Sequence, residues 1–251
     1  MTTYQRISGA AVACLALGLG TTACTSAAVP TPPVKVAGAD ANSASAAAGS
    51  ADPLAGMSLT AIVAKVKADM LALTSVHAVA HFADKAQPNW DIHEVPGRGC
   101  VGSLTTGVGQ GAVDLVVDGS RAWIKLDGEA LNQLGANAAR ARGKYLAVSA
   151  TTSKSFASAI STCDMSKSLF AQMTDAQGLT RGAVVTVAGV PALQLKGEGG
   201  FTVLVSDAAE PYLLSITSSG ANAGSVSFSE FNKPVDLTPP PAAQVVTAPG
   251  T

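Results

Sequence analysis

The stretch Gly111–Asp127, GAVDLVVDGSRAWIKLD, decides the fold. Val113, Leu115 and Val117 alternate with Asp114, Val116 and Asp118. Past Asp118-Gly119, Ala122, Ile124 and Leu126 alternate with Trp123 and Lys125. A period of two belongs to a strand buried on one face, and Asp-Gly between two such runs marks a tight hairpin. Antiparallel pairing is therefore written into the chain locally.

The same period recurs on either side. Upstream, Val76–Asp84, Trp90–Val95 and Cys100–Thr106 read as strands. Downstream, a meander is expected over about Gly182–Val187, Ala192–Lys196, Phe201–Ser206, Tyr212–Thr217 and Ser225–Phe231. Tight turns separate its members: Ala188-Gly189-Val190-Pro191, Gly197-Glu198-Gly199-Gly200, Glu210-Pro211 and Gly220-Ala221-Asn222. Several of these strands are apolar on both faces, as in Phe201-Thr202-Val203-Leu204-Val205. One face is expected to meet helices and the other to line something dry.

Helical spacing appears in three places. Ser58 is the expected N-cap of a helix whose Leu59, Ile62, Val63, Val66, Met70 and Leu73 share a stripe, with Lys65, Lys67 and Asp69 off it. Ala-rich runs over Glu129–Arg142 and Ser153–Ala176 predict a helical interlude, and Lys144–Val148 between them reads as a turn or a strand. The class is α+β, one domain over residues 54–237.

The ends read differently. Arg6, the apolar run Ala10–Gly20 and Thr21-Thr22-Ala23-Cys24 compose a secretory leader over residues 1–23, too short to span a bilayer of about 30 Å. Cys24 is the expected lipidation site, although Thr21 stands where a lipobox usually has Leu; ordinary cleavage of the leader is the alternative. Residues 24–53 then form an Ala/Ser/Pro tether that cannot bury enough surface to order itself. Residues 238–251, with Pro239-Pro240-Pro241, make a Pro-rich tail, read as an extended strap or a loose end. The expected location is the extracytoplasmic face of the cell membrane, held by the lipid anchor.

Composition narrows the function. Net charge is −1 with 16 Lys and Arg scattered along the chain, so no basic face for nucleic acid is present. Cys14 leaves with the leader and Cys24 is taken by lipid. Cys100 and Cys163 then remain as the thiols of an exported domain, where a disulfide is expected and two separately buried thiols are the alternative. Closing a loop of roughly 60 residues is worth about 4 kcal/mol on the chain-entropy model.

As an ordered set, these features resemble the actinobacterial LppX/LprG-type lipoproteins, which are akin to the LolA-like carriers. The residues that carry the resemblance are Ala72-Leu73-Thr74-Ser75-Val76-His77, Asp118-Gly119-Ser120-Arg121-Ala122-Trp123, Gly189-Val190-Pro191-Ala192 and Glu210-Pro211-Tyr212-Leu213-Leu214. Pro234 and Pro239–Pro241 follow them. The resemblance implies a curved antiparallel sheet, a half-barrel, with helices on its concave face around an apolar cavity for acyl chains. The Cys100–Cys163 pair and the glycine runs Gly97–Gly102 and Gly107–Gly111 depart from the family pattern.

Catalytic chemistry is sparse. His77 and His81 share a strand face about 13 Å apart, too far for a joint ligand pair, and His93 beside Asp91 and Glu94 offers no better case. No metal site, cofactor or catalytic residue is expected, and no Gly-x-Ser-x-Gly or Ser-x-x-Lys occurs. Trp90, Trp123, Tyr145 and Tyr212 read as core before pocket. The expected function is a non-enzymatic, membrane-anchored protein that binds or carries an acylated lipid. Val116, Ile124, Leu195, Val203, Leu204 and Leu214 are the candidate wall residues. The alternative is an interaction module with a filled core that binds an envelope protein or receptor. The volume enclosed between sheet and helices separates the two.

Overall fold

The computed structural model describes residues 52–84, 87–105, 111–149, 156–173, 176–220 and 223–248. The leader, Cys24, the tether up to residue 51, residues 107–110 of the second glycine run, Ser153–Ser155 and Pro249–Thr251 lie outside the described residues.

Helix α1 (Leu59–Leu71) opens the domain as the capping signal predicts: Ser58 Oγ accepts from the Ala61 N–H at 3.2 Å. Its stripe of Ile62, Val63, Val66 and Met70 is buried. Strands β1 (Val76–Phe82), β2 (Trp90–Val95), β3 (Gly99–Thr105), β4 (Ala112–Asp118) and β5 (Arg121–Leu126) follow. Short helices α2 (Gly128–Asn132) and α3 (Ala138–Ala141) precede β6 (Tyr145–Ser149). Helix α4 (Ala157–Ser161), a 3-10 turn over Thr162–Asp164 and α5 (Met165–Gln172) complete the interlude. The meander is β7 (Thr180–Val187), β8 (Val190–Lys196), β9 (Thr202–Ser206), β10 (Leu213–Ser218) and β11 (Gly224–Ser229), and β12 (Val245–Thr247) closes the chain.

All twelve strands belong to one open sheet in the order β12-β6-β5-β4-β3-β2-β1-β11-β10-β9-β8-β7. Sequence neighbours pair from β1 to β6 and from β7 to β11, and β1–β11 joins the two runs antiparallel through His77↔Ser229 to Phe82↔Gly224. The architecture is the expected α+β half-barrel. Its inner face carries the alternating set that the hairpin announced: Val113, Leu115 and Val117 on β4, and Ala122, Ile124 and Leu126 on β5, are all buried in one core with α1 and α5. On the other face of that hairpin, Val116 and Trp123 pair directly and bury each other, with the Arg121 guanidinium 5.3 Å from the Trp123 ring.

Three local readings are refined. In the β4–β5 hairpin Asp118 pairs with Arg121, so the two loop residues are Gly119 and Ser120. Gly119 takes φ 60°, the first position of a type II′ turn. The glycine run before Cys100 has a packing cause: a Cβ at Gly99 would overlap the Val117 carbonyl of β4. The two helical runs are broken into short pieces, because small Ala and Ser side chains sustain no long apolar stripe. As for the Pro-rich end, Val245–Thr247 pairs parallel with Tyr145–Ala147 and covers the β6 edge. No helix among the described residues is long and apolar enough to cross a membrane.

Candidate functional site

A cavity of about 280 Å³ lies between α1 and the strands β8–β10. Val63 and Val66 of α1 form its roof, Leu195, Val203, Val205, Leu213 and Ile216 its sheet floor, and Met173, Leu179 and Phe201 its sides; Gln177 is the polar residue in this lining. The interlude helices lie against β2–β4, tied to β3 by the disulfide, while Val63 and Val66 of α1 face the β8–β10 half. A second cavity of about 250 Å³ is lined by Met70, Leu71, Leu73, Val76, Pro96, Gly97, Ser166, Lys167 and Phe170. Met70 and Leu213 stand where the two approach, with the Leu213 N–H 3.3 Å from Met70 Sδ.

Of the six candidate wall residues, Leu195 and Val203 line the first cavity. Ile124 is fully buried on the inner face of the packed half and lines neither cavity. The other three do not face it. Val116 is covered on the outer face by Trp123, and Leu204, opposite Gln194 and Ser215, points away from its neighbours Val203 and Val205. Leu214 is the extra residue at a register shift between Leu213 and Ser215. The causes differ: Leu204 sits on a strand apolar on both faces, which does not reveal its inner side, Val116 shares its face with Asp114 and Asp118, and Leu214 falls at the register shift. Val63 and Val66 were visible on the helical stripe, but nothing in the sequence said that they roof a space. Gln177 carries no sequence signal.

Two buried features hold the helical layer. Cys100 on β3 and Cys163 in the 3-10 turn are disulfide-bonded, with Cα atoms 5.2 Å apart across 63 residues of sequence. Beside them Glu94, the register partner of Cys100, is 1% exposed. Its Oε1 accepts from the Ser166 N–H at 3.3 Å, and its Oε2 has no partner among the described residues. Burial pushes this carboxyl up to about 8; nearby Asp164 adds to the rise, and the amides of Ser166 and Met165 oppose it. At neutral pH Glu94 is thus mainly a neutral acid on the first turn of α5.

The histidines are placed by register. His77 on β1 lies opposite His93 on β2 on one side and Ser229 on β11 on the other. The rings of His77 and His93 stack at 4.0 Å with planes 8° apart, while His81 takes no part. This cross-strand neighbour was not legible from the spacing of His77 and His81.

No protein-family model matches this chain. No curated protein matches it. Among solved structures it is similar to LprF from Mycobacterium bovis, with a TM-score of 0.51 at 16% identity, over 71% of this chain and 95% of that one. The chain has the LppX/LprG-type fold. Two looser likenesses are the lipoprotein LppX from Mycobacterium tuberculosis and a LolA superfamily protein from Nitrosomonas europaea. The LppX match has a TM-score of 0.43 at 13% identity, over 72% of this chain and 98% of that one. The Nitrosomonas match has a TM-score of 0.23 at 9% identity, over 69% and 92%.

Proposed function

We propose that this chain is a non-enzymatic lipoprotein that binds or carries an acylated lipid in the cell envelope, tethered to the membrane through Cys24. The cavity between α1 and β8–β10 carries this reading. Its 280 Å³ equals about nine water volumes at ~30 Å³ each, far beyond a packing defect, and its wall is mainly apolar. A site of that kind takes an acyl segment: each methylene buried contributes about 0.8 kcal/mol, so few polar contacts are needed. Gln177 is the group there able to hydrogen-bond an ester, amide or hydroxyl near the chain's polar end. An interaction module with a filled core would need side chains in that space.

The test is a lipid inventory of gently purified protein by mass spectrometry, with uptake of fluorescent fatty acyl probes by stripped protein. A co-purifying acylated lipid and saturable uptake are expected. Repeated absence of both would sink the reading. Anchoring is tested separately, by metabolic labelling with an alkynyl fatty acid: label should enter the wild type and be lost in Cys24→Ala.

A further inference from the structure

The outer face of the sheet presents a second arrangement, unrelated to the acyl cavity. Ser229, His77 and His93 form one cross-strand row over β11, β1 and β2. Glu230, directly after β11, turns its carboxylate onto the end of that row: Oε2 is 3.5 Å from His93 Nδ1. Ligand atoms of His77, His93 and Glu230 all lie within 4.8 Å of one another.

Three observations make this more than a chance meeting of polar side chains. First, Asp91 accepts from His77 Nε2 at 2.7 Å, which fixes the proton there and leaves the Nδ1 lone pair free to ligate; at present Ser229 Oγ lies 3.2 Å from it. A carboxylate on the far nitrogen is the usual support of a metal-bound imidazole. Second, Glu230 adopts φ 52°, an uncommon conformation for a side chain of this size, and Asn232 after it takes φ 59°. Third, that turn is tied to the linker feeding β1: the Asn232 N–H donates to the Ser75 carbonyl at 2.9 Å, and the Thr74 N–H donates to Asn232 Oδ1 at 2.9 Å. Glu230 and His77 are thus positioned by one hydrogen-bonded corner. The opposing feature is Lys233, whose Nζ is 3.5 Å from Glu230 Oε1 in an exposed pair of little strength.

We infer that His77, His93 and Glu230 form a binding site for a divalent transition cation of the zinc class on the outer face of the sheet, with Asp91 orienting His77. Two imidazoles and one carboxylate are a borderline donor set suited to Zn²⁺ and unsuited to the oxygen-seeking Ca²⁺ or Mg²⁺. Ligand atoms around an ion at about 2.0–2.1 Å sit ~3.3 Å apart when tetrahedral, so the stacked rings must tilt and close on one another. Both are partly exposed, and side-chain rotation suffices. Three protein ligands leave a further position open to water or to a group on a neighbouring molecule.

Zinc chloride is titrated into the purified full chain against a chromogenic chelator, with long-range ¹H–¹⁵N spectra of the histidine rings followed in parallel. One zinc per chain is expected, with the ring nitrogens of His77 and His93 shifting and those of His81 still. His77→Ala, His93→Ala and Glu230→Gln should each weaken binding at least tenfold. Asp91→Asn should weaken it about tenfold through the orientation of His77, and His81→Ala should change it less than twofold. With Co²⁺, the absence of a thiolate charge-transfer band should place the ion on nitrogen and oxygen. The inference is overturned if the wild type binds no zinc, if His81→Ala weakens binding as much as His93→Ala, or if the wild-type spectra leave His77 and His93 unmoved at saturation.

Discussion

Val203 and Leu204 are adjacent and similar in character, yet the pleat sends them to opposite faces of β9. That makes them a paired test of the cavity. Val203→Trp should fill the space and reduce acyl-probe uptake at least tenfold, while Leu204→Trp should leave uptake within twofold of wild type; equal effects would mean that the ligand sits elsewhere. Glu94 makes the second residue-scale prediction. Its carboxyl stands near 4.5 unfolded and at about 8 folded. Between these values the folded state holds the extra proton, so stability falls as pH rises through that window, on the order of 5 kcal/mol by full ionisation. Glu94→Gln keeps an oxygen for the Ser166 amide and cannot ionise. Urea denaturation at pH 5 and pH 9 should show a larger loss of stability in the wild type than in the variant, and parallel losses would refute the assignment.

At the level of elements, most strands and the α1 cap were legible because alternation, turn residues and a capping serine are local signals. The helical interlude was legible only as helical. Its breaks at Leu134–Asn137 and Thr162–Asp164 fall where small side chains sustain no apolar stripe, and the second holds the disulfide residue Cys163. The cavity was legible in kind and not in place, since Phe201–Val205 is apolar on both faces and register alone assigns Val203 inward and Leu204 outward. Two element-scale predictions follow from turn and packing geometry. In the two-residue β7–β8 hairpin Ala188 is held at φ 47°, a region costly to alanine. Ala188→Asn should stabilise the protein by about 0.5–1 kcal/mol, read as a higher melting temperature. Met70 of α1 stands at the meeting of the two cavities. Met70→Ala should join them and shift the preferred acyl probe to longer chains, at a stability cost of about 2–5 kcal/mol; an unchanged chain-length optimum would show the cavities are independent.

Across the whole molecule, the two halves of the sheet divide the work. The β2–β6 half is pinned beneath the interlude helices by the disulfide, and the β8–β10 half keeps its apolar space under α1. Reduction of Cys100–Cys163 should therefore cost about 4 kcal/mol and loosen the interlude helices first, seen as faster amide exchange in α4 and α5 than in β8–β10. The same bond has a topological consequence. It encloses β4, β5, β6 and the helices from α2 to α4 in a covalent ring, so one proteolytic cut anywhere between residues 100 and 163 leaves a single molecule. Such a nicked chain should run as one species on a non-reducing gel and as two fragments once reduced. It should also still take up the acyl probe, because every strand beneath that cavity lies outside the ring.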